Sequence, residues 1–292
     1  MIEAVLSRKK RDIDQRLSHL LKADIPEHKR LYEAMNYSLL AGGKRIRPIL
    51  FLLTAEALGA DAGRYMDAAC AIECVHTYSL IHDDLPQMDN DDYRRGRLTN
   101  HMVYGAGMAT MAGDGLLTAA FEILAGMDEI PPDLRCRLIA VLAGAAGPSG
   151  MVGGQAQDIE AENHVLSMEE LRSMDRHKTG CLLCAPVDMA ALLAGADEKT
   201  AAALHQYGLH LGQLFQITDD LLDGAGSLEE MGKRPGQDAA MKKATYLSLL
   251  GMEKAKACAA EEAAAAKESI ASLGSGAQLL RELADFIWKR TK

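Results

Sequence analysis

Two runs of aspartate in this 292-residue chain have a spacing that ordinary surface charge does not explain. The first, His82-Asp83-Asp84-Leu85-Pro86-Gln87-Met88-Asp89-Asn90-Asp91-Asp92, closes a mainly apolar segment. The second, Gln216-Ile217-Thr218-Asp219-Asp220-Leu221-Leu222-Asp223, lies inside one. On a helix Gln216, Asp219, Asp220 and Asp223 fall at i, i+3, i+4 and i+7, a single polar stripe on an otherwise apolar rod. Like charges at i and i+4 repel by a few tenths of a kcal/mol, so one such cluster is as readily a solvated face or a capped helix end. Two of them, each on an apolar helix, call for a shared counter-charge. Mg²⁺ fits: it is a hard ion that takes one or two carboxylates and completes its shell with substrate phosphates. Two carboxylate ledges facing each other would hold several Mg²⁺ ions around a polyphosphate and stabilise charge on a leaving diphosphate.

A phosphate site also needs cations. Gly42-Gly43-Lys44-Arg45-Ile46-Arg47-Pro48 puts three basic side chains just before a helix for which Pro48 suits the first position. Free N–H groups and the positive dipole end make such a junction an anion site, although plain surface basicity would read the same way. His76 lies seven residues before Asp83, within about 20° on the helical wheel, and so shares the acidic face. Further basic groups are Arg94, Arg95, Lys178 beside Thr179, Lys233 and Lys243. No Ser-His-Asp or Cys-His set stands out. Cys181-Leu-Leu-Cys184 has no second pair at zinc-site spacing, and the six cysteines read as reduced core thiols.

The elements that must position these residues are helical. Apolar residues are 48% of the chain but aromatics only 4%, so the apolar content is mostly Ala, Leu, Met and Ile, which favours helix over sheet. The 3.6-residue period predicts helices over 3–22, 28–41, 48–59, 62–85, 101–126, 132–145, 149–162, 168–195, 198–223, 239–268 and 276–290, with no convincing strand. The Ala-rich, charged segment Glu261–Lys267 reads as a solvated helix face. No Ser/Gly-rich linker divides the chain, so one domain over 1–292 is expected. Lys plus Arg total 32 against 41 Asp plus Glu, a net −9, which disfavours nucleic acid and anionic membrane as partners. The charged N-terminus is unlike a signal peptide, and the charge-free run 138–157 is too rich in Gly and polar residues for a spanning helix. A cytoplasmic protein without stable membrane insertion is the expectation.

Taken in order, GGKRIRP at 42–48, YSLIHDDLPQMDND at 78–91, RRGRLT at 94–99, GGQAQDI at 153–159, KTG at 178–180, FQITDD at 215–220 and KRPGQDAAMKKATYLSLLG at 233–251 resemble the trans-isoprenyl diphosphate synthase family. The four residues between Asp84 and Asp89 match the longer first motif of many bacterial and plastid-type members. The resemblance implies an all-α fold, an antiparallel helical bundle around a deep central cavity, usually as a homodimer. It implies condensation of isopentenyl diphosphate onto allylic diphosphates, with about three Mg²⁺ ions when substrate is bound. By motif, Asp83, Asp84, Asp89, Asp219, Asp220 and Asp223 would hold metal, with Asp83, Asp89 and Asp219 the direct ligands. Lys44, Arg47, His76 and Arg95 would hold isopentenyl diphosphate. Arg94, Lys178, Thr179, Gln216, Lys233 and Lys243 would face the allylic substrate, with Lys178 also counted among the catalytic groups.

Residues just upstream of the first Asp motif would floor the hydrocarbon pocket. These are Tyr78 and Ser79, with Tyr78 ~7.5 Å along the helix from Asp83. The wheel puts Ser79, not Tyr78, on the Asp83 face, so the floor role of Tyr78 comes from the resemblance alone, as does a C15 product in preference to C20. The chain departs from the usual pattern after Asp223, where Gly224-Ala-Gly-Ser-Leu-Glu-Glu lacks an early acidic residue, and at Met241-Lys242, where a smaller pair is common. An HD-type phosphohydrolase is the rival from another class, since His82-Asp83 spells its dipeptide; an almost purely carboxylate site argues against it. A terpene cyclase would need no isopentenyl site and more aromatics. A silent synthase subunit would have lost one Asp motif.

Overall fold

Helices account for nearly every described element of the computed structural model, which describes residues 2–161, 164, 166–225 and 244–289. Lys233, Lys243, residues 226–230 and Met241-Lys242 lie outside the described residues. The chain groups into two compact units, one built from residues 3–52 and 62–139, the other from 53–61 and 140–292.

In the first unit, α1 (Ile2–Leu20), α2 (Lys29–Leu39), α4 (Met66–Asp83), α5 (Asn100–Tyr104) and α6 (Ala106–Ala125) surround one apolar core, while α3 (Ile46–Ala57) starts here and ends in the second unit. Helix α4 is buried on most sides, from Ala68 to Ile81. That explains why its sequence shows no single apolar stripe: a helix enclosed by protein needs none. It packs chiefly on α6. The contact is close because α6 is Ala- and Gly-rich. A Cβ on Gly113 would stand 2.1 Å from His82 Nε2, so only glycine lets His82 lie against α6. Two short strands, β1 (Tyr93–Arg94) and β2 (Arg97–Leu98), form a hairpin after the first acidic run.

In the second unit the longest helix, α11 (Glu198–Ala225), packs on α10 (Cys181–Leu193) and on α13 (Met252–Ser269). The Ala-rich segment of α13 is a solvated face on one side only. Ala255, Ala259, Ala263 and Ala266 are buried, a seam of small side chains that lets two backbones approach. Short α12 (Tyr246–Leu250) and terminal α14 (Gln278–Lys289) complete this side, and the buried Tyr207 hydroxyl donates to the Leu280 carbonyl at 2.8 Å. Helices α7 (Pro132–Ala146), α8 (Met151–Glu160) and α9 (Met168–Asp175) precede α10. α7 begins in the first unit and ends in the second.

Three expected helices are interrupted. The 101–126 helix breaks at Gly105 (φ 85°) and the described part of the 239–268 helix at Gly251 (φ 77°), both in the left-handed region that glycine tolerates and a helix does not. The 168–195 helix contains a turn of π-helix, Arg176–Gly180. By length and composition Ala106–Ala125 and Pro132–Glu160 are apolar enough to cross a membrane, but α6 buries Ala109, Ala112, Leu116 and Leu124 in the core of its unit.

Candidate active site

The basic loop before α3 is held from several directions. Arg45, at φ 52°, buries its guanidinium completely and donates to Asp14 Oδ1 (2.8 Å), Glu73 Oε1 (2.6 Å) and the Leu39 carbonyl (2.7 Å). Arg95, from the hairpin, donates to the Gly42 carbonyl. Its guanidinium carbon occupies the space, 2.6 Å away, that a Cβ on Gly43 would need. Lys44 is exposed and Arg47 buried. Helix α3 starts at Ile46, two residues before Pro48, so the proline sits in the first turn rather than at its first position.

Arg47 Nη1 lies 3.4 Å from His76 Nε2. Burial, then Arg47, Arg95, Arg94 and Arg45, hold His76 well below the usual imidazole range. His76 is therefore neutral at pH 7 and serves Arg47 as an acceptor rather than adding a charge. Arg47 and Arg95 beside a neutral imidazole favour a local positive potential, which is what a diphosphate requires, while Arg94 and Arg45 are paired with Asp84 and Glu73.

Asp83 is the last residue of α4, and the residues after it curl back on themselves. Leu85 N–H bonds to the His82 carbonyl, Met88 N–H to Leu85, and Asp89 N–H to the Asp83 carbonyl at 2.9 Å. Asn90, at φ 52°, closes the turn onto Leu85. The five intervening residues thus return Asp89 to Asp83, and both carboxylates stay partly exposed. Asp84 differs. It is 3% exposed and clasped by Arg94, whose Nε lies 2.7 and 2.9 Å from its two oxygens and whose Nη2 lies at 2.6 Å. Burial nevertheless raises the Asp84 pKa, against the lowering effect of Arg94. Tyr78 is buried, edge-on to the His82 ring at 5.6 Å, with its hydroxyl pushed up to about 12 by burial and by Asp83. Ser79 donates to the His76 carbonyl.

In the second unit the stripe on α11 is as expected, but its members are unequal. Asp220 is buried and accepts from Gln216 Nε2 (2.9 Å) and from the Tyr246 amide (2.8 Å). Asp219 is partly exposed. Asp223 is buried, and its Oδ1 has no hydrogen-bond partner among the described residues. Thr179 Oγ1 donates to Gln216 Oε1 at 3.2 Å, joining the π-turn to the stripe. Lys178 Nζ donates to Asp158 Oδ2 at 2.6 Å. The π-turn is wedged between two glycines. A Cβ on Gly154 of α8 would lie 2.1 Å from the Lys178 amide nitrogen, and one on Gly212 of α11 would lie 2.7 Å from Gly180 Cα.

Asp175, which the sequence did not single out, ends α9 with Oδ2 buried and unpartnered among the described residues. Burial and then Asp220 push its carboxyl up to about 8, with Lys178 pulling the other way. An unfolded aspartate titrates near ~3.9. The folded chain therefore binds the extra proton between those values, and stability falls as pH rises through that window. Asp175→Asn, neutral throughout, should flatten the dependence. Thermal melts in EDTA from pH 5 to 9 check this, and a slope parallel to the parent would contradict it.

The donor set suits Mg²⁺. It offers hard carboxylate oxygens, one of them, on Asp223, buried and without a hydrogen-bond partner among the described residues. Among the described residues no three His, Cys, Asp or Glu side chains converge closely enough to hold a metal alone. Mg²⁺ is usually held by one or two carboxylates and completes its shell with substrate phosphates.

An all-α chain with two aspartate-rich helix segments and an arginine pocket defines a diphosphate-handling enzyme. The polyprenyl synthetase family model matches residues 28–281, and the chain belongs to that family. Among its relatives, farnesyl diphosphate synthase from Geobacillus stearothermophilus is 50% identical over 257 residues, covering 87% of this chain and 86% of that one. A solved FPP/GFPP synthase from Zymomonas mobilis is 36% identical with a TM-score of 0.88 and covers 98% of both chains. A geranyltransferase from Helicobacter pylori, solved with magnesium and isoprenyl diphosphate, is 33% identical with a TM-score of 0.87, covering 97% of this chain and 95% of that one.

Proposed function

We propose that this prenyltransferase makes farnesyl diphosphate, a C15 product, by joining isopentenyl diphosphate 1′-4 first to dimethylallyl and then to geranyl diphosphate. The observation that carries the reading is the pairing, in one unit, of Arg47 and Arg95 beside neutral His76 with a turn that returns Asp89 to Asp83. Identity of 50% to a farnesyl diphosphate synthase supports the C15 assignment. In this reading one synthase domain spans 1–292, and the family match from 28 to 281 draws on both compact units.

Asp83, Asp89 and Asp219 bind Mg²⁺ directly, about three ions in all, with Asp84, Asp220 and Asp223 behind them. The metal supplies electrostatic stabilisation to a departing diphosphate. Lys44, Arg47, His76 and Arg95 bind the diphosphate of isopentenyl diphosphate. Arg94, Lys178, Thr179 and Gln216, with Lys233 and Lys243, face the allylic substrate. Loss of its diphosphate leaves an allylic cation, which water must not reach before isopentenyl diphosphate does. The isopentenyl double bond attacks C1 of that cation, and a proton then passes to the released diphosphate. No protein nucleophile takes part. Incubation with an allylic diphosphate alone separates this from hydrolysis: release of phosphate without isopentenyl diphosphate would favour the phosphohydrolase.

Tyr78 sets the product length by flooring the pocket. Tyr78→Ala should shift the main product from C15 to C20, read by chromatography of the dephosphorylated products, and an unchanged length would dismiss the assignment. The enzyme is a homodimer in this reading, with exposed Met102, Val103 and Met111 at the α5–α6 junction as apolar surface for a second copy. It works in the cytoplasm, where its six free cysteines stay reduced.

A further inference from the structure

We propose that Arg45 is the positioning residue of the isopentenyl diphosphate site, acting through the loop it anchors and never touching substrate. The proposal rests on the functional reading above, because it assigns Lys44, Arg47 and His76 to that diphosphate.

The geometry is unusual for an arginine. Its backbone is left-handed, a conformation unfavourable for a non-glycine residue that persists only where the surroundings impose it. Its side chain, wholly enclosed, spends its donors on three helices: Asp14 on α1, the Leu39 carbonyl at the end of α2 and Glu73 on α4. A guanidinium fork fixes direction as well as distance, which a lysine cannot do. Lys44 and Arg47 flank this anchor on either side in the chain, so their starting points follow from it.

Glu73 extends the argument. It is 1% exposed and sits one helical turn before His76 on α4. The same helix therefore holds the anchor's acceptor and, three residues on, the imidazole that meets Arg47. Arg45 ties the basic loop to α4 at Glu73, and Arg47 meets it again at His76. The ion pair also has an electrostatic use. Glu73 offsets the charge of Arg45, as Asp84 offsets that of Arg94, so the loop is anchored without adding a bare buried charge beside Arg47 and Arg95. Glu73 Oε2 is buried without a hydrogen bond among the described residues, so this carboxylate is held by its charge partner rather than by a full set of donors.

The test uses the full chain. Removing Arg45 alone would strand Glu73, so the informative variant is the double substitution Arg45→Met with Glu73→Gln, which removes both charges together. Steady-state kinetics with geranyl and isopentenyl diphosphates should show KM for isopentenyl diphosphate raised tenfold or more. KM for geranyl diphosphate should stay within twofold and kcat within threefold. Calorimetry with inorganic diphosphate in EDTA should show at least fivefold weaker binding to the variant. Equal rises in both KM values, or no rise in either in a folded variant, would overturn the proposal. If the parent protein binds diphosphate but turns over neither substrate, the functional reading fails while the anchor is still judged by calorimetry. If the double variant does not fold, Arg45→Lys keeps the charge, loses the fork and takes its place: a selective rise in KM for isopentenyl diphosphate supports the anchor, and unchanged KM values overturn it.

Discussion

Asp83→Ala should lower kcat by ~10²–10³-fold, the usual cost of losing one preorganised charge-stabilising group, here the Mg²⁺ that Asp83 would hold. Among the described residues no three carboxylates converge into a nest that would retain metal after such a loss. Asp83 and Asp89 act as a pair because the turn between them ties the Asp89 amide to the Asp83 carbonyl. In the proposed reading, removing either leaves this turn one carboxylate to offer Mg²⁺. The neighbouring residue offers a contrast. Asp84 is committed to Arg94 through both oxygens, so Asp84→Asn should act by releasing that arginine and disturbing the hairpin that also carries Arg95. Rates titrated against Mg²⁺ separate the two: Asp83→Ala should need much more metal, and Asp84→Asn should show a raised KM for allylic substrate at an unchanged metal requirement. A wild-type rate for Asp83→Ala, or full activity after thorough chelation, would remove the metal from the account.

Gly154→Ala should have the second largest effect, a fall in kcat of ~10²-fold, the cost of displacing a catalytic group by about 1 Å. The added methyl would lie 2.1 Å from the Lys178 amide nitrogen, 2.6 Å from its Cα and 2.7 Å from the His177 carbonyl carbon. These are backbone atoms, which no rotamer change can move aside. On the opposite side Gly180 is already against Gly212, so the π-turn cannot simply retreat. Either α8 moves, carrying Asp158 away from Lys178, or the turn rewinds and withdraws Thr179 from Gln216. Overpacking of this kind also costs ~1–3 kcal/mol in stability. The rate and a thermal melt measured on the same sample check both effects, and a kcat within twofold of the parent would show that the π-turn is not what presents Lys178.

What could be read ahead of the structure follows the range of the interactions. The stripe Gln216, Asp219, Asp220, Asp223 was legible because helical periodicity alone places those residues together, and the all-α class was legible because composition and period agree. The unequal roles within the stripe were not. That Asp220 accepts from Tyr246, 26 residues on, is a tertiary fact. Arg45 looked like one more cation beside Lys44 and Arg47. Its carboxylate partners lie 31 and 28 residues away, and no local pattern announces them. The π-turn has no compositional signature distinct from the helices it joins, so 168–195 read as continuous. The hairpin at 93–98 has strands of two residues, too short for alternation to register. Asp158 was visible within GGQAQDI but without a role until Lys178 was found 2.6 Å from it.

The central claim is that the chain extends an allylic diphosphate by isopentenyl units and stops at C15. The direct measurement is chromatography of the products from labelled isopentenyl diphosphate incubated with geranyl or dimethylallyl diphosphate and Mg²⁺. A dominant labelled C15 alcohol after dephosphorylation, absent when Mg²⁺ is chelated, is the predicted result. Label remaining in isopentenyl diphosphate, or free phosphate appearing from the allylic substrate alone, would contradict it.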